Sequence, residues 1–203
     1  MIQLIGPGGA GKTTIGAQLA QRLAIRFMDL DAEFVNKHGD ISAHLDAHGY
    51  RAYAARNVGL YLDLVNAVTR PDVVALSSGF MTYPDDIHPA YLARRQRIAS
   101  SPSTFVLLPS VDVETCVAET VRRQLARPFA RPATREEQVI RERFPLYMRL
   151  PSRKIETMQS IETVVTELAT CWLRNKPPLS VPPLERQRGY SRGRNSLRGT
   201  RTP

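Results

Sequence analysis

Ile2, Leu4 and Ile5 open the chain as a short apolar run. Similar runs recur at Phe27-Met28, Val73-Val74-Ala75-Leu76 and Thr104-Phe105-Val106-Leu107-Leu108. Unbroken runs of this length mark strands buried on both faces. Between them, apolar residues return every three or four positions, as a helix with one buried face requires. Ile15, Leu19 and Leu23 form the first such stripe. A helix is expected over about 31–38, another from a cap at Asp40 to Gly49, and a long one over about 50–69 with Tyr53, Leu60, Leu64 and Val68 on one face. Pro89 suits the first turn of a helix through about Ile98. Helix 112–126 would bury Val113, Val117, Val121 and Leu125, and helix 135–144 would lead to Pro145-Leu146-Tyr147. Lys154-Ile155-Glu156 is expected as a short last strand, and 160–174 as the last helix, with Trp172 in its packing. Strands alternating with helices predict an α/β fold of three layers, α/β/α, with a central parallel sheet and helices on both faces.

Chemistry enters directly after the first run. Gly6-Pro7-Gly8-Gly9-Ala10-Gly11-Lys12-Thr13-Thr14 contains the spacing G-x-x-x-x-G-K-[ST], a phosphate-binding loop, between an expected strand and an expected helix. The backbone of such a loop curls around an anion with its N–H groups inward, and side chains larger than hydrogen obstruct that approach. Gly9, Ala10, Gly11, Lys12, Thr13 and Thr14 are therefore the candidate nucleotide-binding residues. Lys12 would sit over the β- and γ-phosphates and the Thr13 hydroxyl would bind Mg²⁺. The N-terminal end of the following helix favours the same negative charge. Phe27-Met28 leads into Asp29-Leu30-Asp31, acids at the C-terminal end of a strand, where α/β folds gather ligands. Either acid could instead serve as a helix cap or turn residue.

Charge changes the picture less than its size suggests. The 203-residue chain has a net charge of +9, but residues 174–203 hold eight basic side chains against Glu185 alone. The globular part, expected over 1–173, is therefore close to neutral. The remainder is a Pro/Arg/Gly-rich segment that cannot bury enough apolar surface to offset ordering, so a disordered basic tail is expected. A solvated tail is the preferred reading. RNA contact through its arginines and Tyr190 is the weaker alternative. No run of eighteen apolar residues predicts a membrane span, and the opening strand leaves no place for a signal peptide. Cys116 and Cys171, with no metal-ligand spacing, read as buried free thiols of a cytoplasmic protein. His44 and His48 lack a third ligand and read as surface residues.

Residues 1–172 resemble the shikimate kinase family of small phosphate-loop kinases. The resemblance rests on Gly6–Thr14, Phe27-Met28-Asp29-Leu30-Asp31, Arg127-Pro128-Phe129 and Arg143-Phe144-Pro145-Leu146-Tyr147, in that order. It implies ATP and Mg²⁺ as cofactors, a monomer, and transfer of phosphate to a small hydroxylated, anionic acceptor, shikimate first. It makes Lys12, Asp31 and Arg127 the catalytic set, with Arg127 on a lid at about 124–135 covering the nucleotide. Thr13 and Asp29 would serve the metal, Asp29 through water. Asp31, Arg51, Gly79 and Arg143 would bind the acceptor. Two positions depart from the family pattern. Ala54 stands where an arginine would grip the substrate carboxylate, leaving Arg51 or Arg56 to replace it. Ser77-Ser78-Gly79 stands in place of three glycines. These departures keep open a kinase for another acceptor, such as a sugar acid or nucleoside. A non-catalytic nucleotide-binding protein with an interaction tail is the alternative of another class.

Overall fold

The computed structural model describes residues 1–67, 72–126 and 132–175. The expectations for Val68, Arg127, the middle of the lid and the tail from Lys176 onward fall outside these residues. Five strands form one parallel sheet: β1 (Ile2–Ile5), β2 (Arg26–Asp29), β3 (Asp72–Ala75), β4 (Thr104–Leu108) and β5 (Arg153–Glu156), in the order β2-β3-β1-β4-β5. Successive side chains of a strand point to opposite faces, and the runs are apolar because both faces are covered. Leu4, Val73, Phe105 and Leu107 pack on one side with Ile15 and Leu19 of α1 (Lys12–Leu23) and with Val165 and Leu168 of α7 (Ile161–Asn175). Ile5, Val74, Val106 and Leu108 pack on the other, with Phe34 of α2 (Leu30–His38) and Tyr53, Val58 and Tyr61 of α3 (Ile41–Ala67). Trp172 is buried in the first of these cores.

Helix boundaries depart from expectation where a local signal met a tertiary one. The break expected at Gly49 is present: α3 is two helical stretches joined across a kink at that residue. Gly49 adopts φ 76°, a left-handed conformation that glycine reaches without a Cβ penalty. Helix α4 (Tyr91–Ser100) starts two residues after Pro89. Helix α5 (Val113–Leu125) is capped by Asp112, whose carboxylate accepts from the Thr115 N–H at 2.9 Å. It buries Cys116, Val117 and Thr120 and leaves Leu125 exposed, so its inner face is turned from the expected valine stripe. Helix α6 (Ala133–Arg149) runs through Pro145, which removes one intrahelical hydrogen bond but leaves Phe144 and Tyr147 seated in the core.

Candidate active site

Strand β1 ends at Ile5, and the loop from Gly6 to Gly11 carries the chain into α1. Gly6, Gly9 and Gly11 all have left-handed φ values. At Gly6 a Cβ would lie 2.2 Å from the Leu107 carbonyl oxygen of β4. Only a glycine lets the loop cross the sheet edge there. The Lys12 ammonium folds back over the loop and donates to the carbonyls of Gly6 and Pro7 at 2.8 and 2.9 Å. A cavity of about 120 Å³ opens beside it, lined by Gly8 to Thr14 together with Asp29, Asp31, Ser78 and Gln124. All six expected nucleotide-loop positions from Gly9 to Thr14 are thus in one place.

The two acids where β2 passes into α2 have separate tasks. Asp29 caps α2, accepting from the backbone N–H groups of Asp31 and Ala32 at 2.9 and 3.4 Å. Its other oxygen accepts from the Thr13 hydroxyl at 2.6 Å. Capping therefore falls to Asp29, and the Asp31 side chain, one helical step on, projects elsewhere. Asp31 lines the phosphate cavity and also a second cavity of about 500 Å³. That volume lies within the usual range for small-molecule sites.

The second cavity has an apolar and phenolic wall on the α3 side, from Ile41, Leu45, Tyr50 and Tyr53, with Asp46 among them. Opposite stand Arg135, Val139 and Arg143, each four residues from the last and so on one stripe of α6. Neither guanidinium is paired with a carboxylate among the described residues. Arg143 approaches the Tyr50 hydroxyl at 3.5 Å. Gly79 forms part of the same wall, and a Cβ there would meet the Tyr50 hydroxyl at 2.9 Å and Arg143 at 3.2 Å. Burial raises the hydroxyl pKa of Tyr53, and the neighbouring Asp31 carboxylate adds to it, so Tyr53 remains a proton donor toward Asp31.

Arg51 is not brought to this cavity. It pairs with Asp86 at 3.0 Å on the exposed surface. Arg56 also lies outside the lining and donates to the His44 ring at 3.3 Å. His44, expected on the surface, is buried at 6% exposure beneath Phe34. An i, i+4 pair of histidines reveals no burial by itself. What buries His44 is the turn of α3 against α2. Ala54 is fully buried. The two serines that replace glycines differ: the Ser77 hydroxyl donates to Asp31 at 2.5 Å, while Ser78 lines both cavities and its carbonyl accepts from Tyr147 at 2.7 Å.

Arg123 is not singled out by the sequence, and Gln124 and Arg135 enter as the ends of the expected lid. Arg123 donates to the Gly9 carbonyl at 3.2 Å and to the Thr157 carbonyl at 2.9 Å, tying the phosphate loop to the segment after β5. With Arg122 first and Arg123 behind it, Glu119 is held down at about 2. Gln124, at the end of α5, donates to Glu136 in the first turn of α6 at 3.3 Å. The spacing of Arg135, Val139 and Arg143 was the one signal in the sequence for the basic stripe.

Comparison with known proteins decides the family. A model of the shikimate kinase family matches residues 8–172. The chain belongs to the shikimate kinase family. A shikimate kinase of Francisella philomiragia is 30% identical over 171 residues, 83% of this chain and 92% of that protein. One from Thermobifida fusca is 31% identical over 172 residues, 81% and 90% of the two chains. Among solved structures, the shikimate kinase of Acinetobacter baumannii in complex with shikimate aligns with a TM-score of 0.65 at 25% identity, over 86% of this chain and 93% of that one. A gluconokinase from Sinorhizobium meliloti, at 15% identity and a TM-score of 0.53, shares the fold. The chain is thus a nucleotide-using small-molecule kinase, and no described helix is long and apolar enough to cross a membrane.

Proposed function

We propose that this protein transfers the γ-phosphoryl group of ATP to a hydroxyl of shikimate. The observation that carries this is the position of Asp31, the carboxylate shared by the phosphate cavity and a cavity bearing Arg135 and Arg143. Family membership and the shikimate-bound relative support the acceptor.

The loop fits a nucleotide by its left-handed glycines and the ammonium already folded over it. The Thr13 hydroxyl and the Asp29 carboxylate, adjacent hard oxygen donors, fit Mg²⁺, an ion that takes few protein ligands and keeps its waters. Bound Mg-ATP would supply the phosphoryl group and the charge that screens it. The protein's part is then positioning and charge compensation. Lys12 and the loop N–H groups hold phosphate oxygens. Asp31 orients the acceptor hydroxyl and accepts its proton. Arg143 grips the acceptor's carboxylate, with Arg135 on the same stripe as a second cation. Arg127, outside the described residues, is assigned to cover the transferred group. The protein acts as a monomer in the reducing cytoplasm, in keeping with two buried free thiols.

A second reading has its own support. Neither Arg51 nor Arg56 lines the acceptor cavity, and the α3 wall is apolar and phenolic. A hydroxylated acid other than shikimate, held only from α6, fits that wall. ADP release with Mg-ATP, measured with shikimate and with a panel of sugar acids and nucleosides, separates the two. Shikimate-dependent turnover lost in Lys12→Ala and Asp31→Ala is the expected result. Turnover with another acceptor alone would move the assignment to the second reading.

A further inference from the structure

Behind Asp31 lies a chain of buried hydrogen bonds that the phosphate-loop pattern does not contain. Tyr83 donates its hydroxyl proton to the Asn57 side-chain carbonyl at 3.2 Å. The Asn57 amide donates to the Ser77 oxygen at 3.0 Å. Ser77 donates in turn to Asp31 Oδ1 at 2.5 Å, and the same oxygen lies 3.4 Å from the Tyr53 hydroxyl. Asn57, Ser77 and Tyr83 are 0%, 2% and 2% exposed.

The direction of the chain follows from the inventory of protons. An ionised carboxylate only accepts, so Ser77 must give its one proton to Asp31. Its oxygen can then receive only from a donor, which fixes the Asn57 side chain with its NH₂ toward Ser77. The Asn57 carbonyl is left to accept from Tyr83. Burial holds the Tyr83 hydroxyl well above its ordinary pKa, so that donor is permanent. Three elements meet in this chain: α3 through Asn57, the turn after β3 through Ser77, and the segment after the short 3₁₀ turn Phe80–Thr82 through Tyr83. Asp31 Oδ1 accepts from Ser77, with the Tyr53 hydroxyl 3.4 Å away, while Oδ2 has no donor among the described residues.

We propose that Ser77, backed by Asn57 and Tyr83, is a positioning residue for the phosphotransfer reaction: it pins Oδ1 of Asp31 and leaves Oδ2 as the oxygen offered to the acceptor hydroxyl. The inference rests on Asp31 being the acceptor's base. It assigns a task to a serine that stands where the family pattern has glycine. No proton moves along the chain. Its effect is orientational, and misplacing a reacting group by an ångström can cost roughly 100-fold in rate.

The test uses the full chain with ¹³Cγ-labelled aspartate, the Asp31 resonance being assigned by its absence in Asp31→Asn. Ser77→Ala is expected to move that resonance. It should also lower kcat roughly 10- to 100-fold, with the KM of ATP and acceptor within about twofold of the unaltered protein. In the Asp31→Asn background the same substitution should change kcat by less than about twofold, since both act through one carboxylate. Equal losses in both backgrounds would mean a merely structural role and overturn the proposal, as would an unmoved resonance. If Ser77→Ala does not fold, Ser77→Gly, which needs no added volume, answers the same questions. A moved resonance in a protein that turns over none of the acceptors supports the contact while failing the kinase reading, so the two failures are told apart.

Discussion

The cavity at the glycine loop is walled largely by backbone and the larger cavity beside it by side chains. At the first, glycine conformations and one folded-back lysine define the space. At the second, residues from α2, α3, α6 and the turn after β3 define it. A backbone site depends on conformations that few residues can adopt, so substitution there is costly. A side-chain site can change one residue at a time while the fold stays in place. The same molecule thus has one end constrained by backbone conformation and the other open to retuning.

The sharpest way to break this contrast is at Lys12. Lys12→Ala is expected to lower kcat on the order of 10³-fold without unfolding the protein, measured as ADP release. A smaller loss would mean that the loop amides suffice. Gly6→Ala tests the backbone side directly. With φ 143° and the Leu107 carbonyl in the way, it should cost roughly 3 kcal/mol in urea unfolding. At the side-chain end, Arg143→Ala and Arg135→Ala should each raise the acceptor KM about tenfold, in line with roughly 1.5 kcal/mol for a charge-assisted hydrogen bond, and leave the ATP KM unchanged. Arg51→Ala should alter the acceptor KM by less than about twofold, because its partner is the exposed Asp86. A large effect there would show that α3 supplies an anion grip after all.

The smallest effect concerns acidity. Burial, with Arg56 adding to it, lowers the pKa of His44 below its ordinary 6.5. His38 is lowered by burial too, with Lys37 and Arg56 behind. The unfolded chain then binds these protons more readily than the folded one, so stability is full above about 6.5 and declines as the pH falls below it. A lower Tm at pH 5 than at pH 7 is expected, with a shallower decline in His44→Gln. Equal slopes in the two proteins would remove His44 from the account.

Legibility in the sequence followed the same division. The phosphate loop, the two acids after β2 and the parallel α/β order could be read because each depends on local spacing or on apolar runs. The break between helices at Gly49 could be read as well, because glycine reaches the positive φ of 76° found there without a Cβ penalty. The burial of His44, the diversion of Arg51 to Asp86 and the donation of Ser77 to Asp31 join residues 12 to 46 positions apart. No periodicity encodes such pairs. Pro145 misled in the opposite sense: its local rule is sound, but Tyr147, two residues on, is held by the Ser78 carbonyl and carries the helix past it.

The contact between Thr13 and Asp29 has a consequence for which species can settle beside the loop. A hydroxyl owns one proton, and that of Thr13 is already given to the carboxylate. What the oxygen turns to the cleft is therefore lone pairs alone. The corner acts as a polarity filter: a bare cation finds electron density there, whereas an approaching acceptor oxygen finds no proton to share.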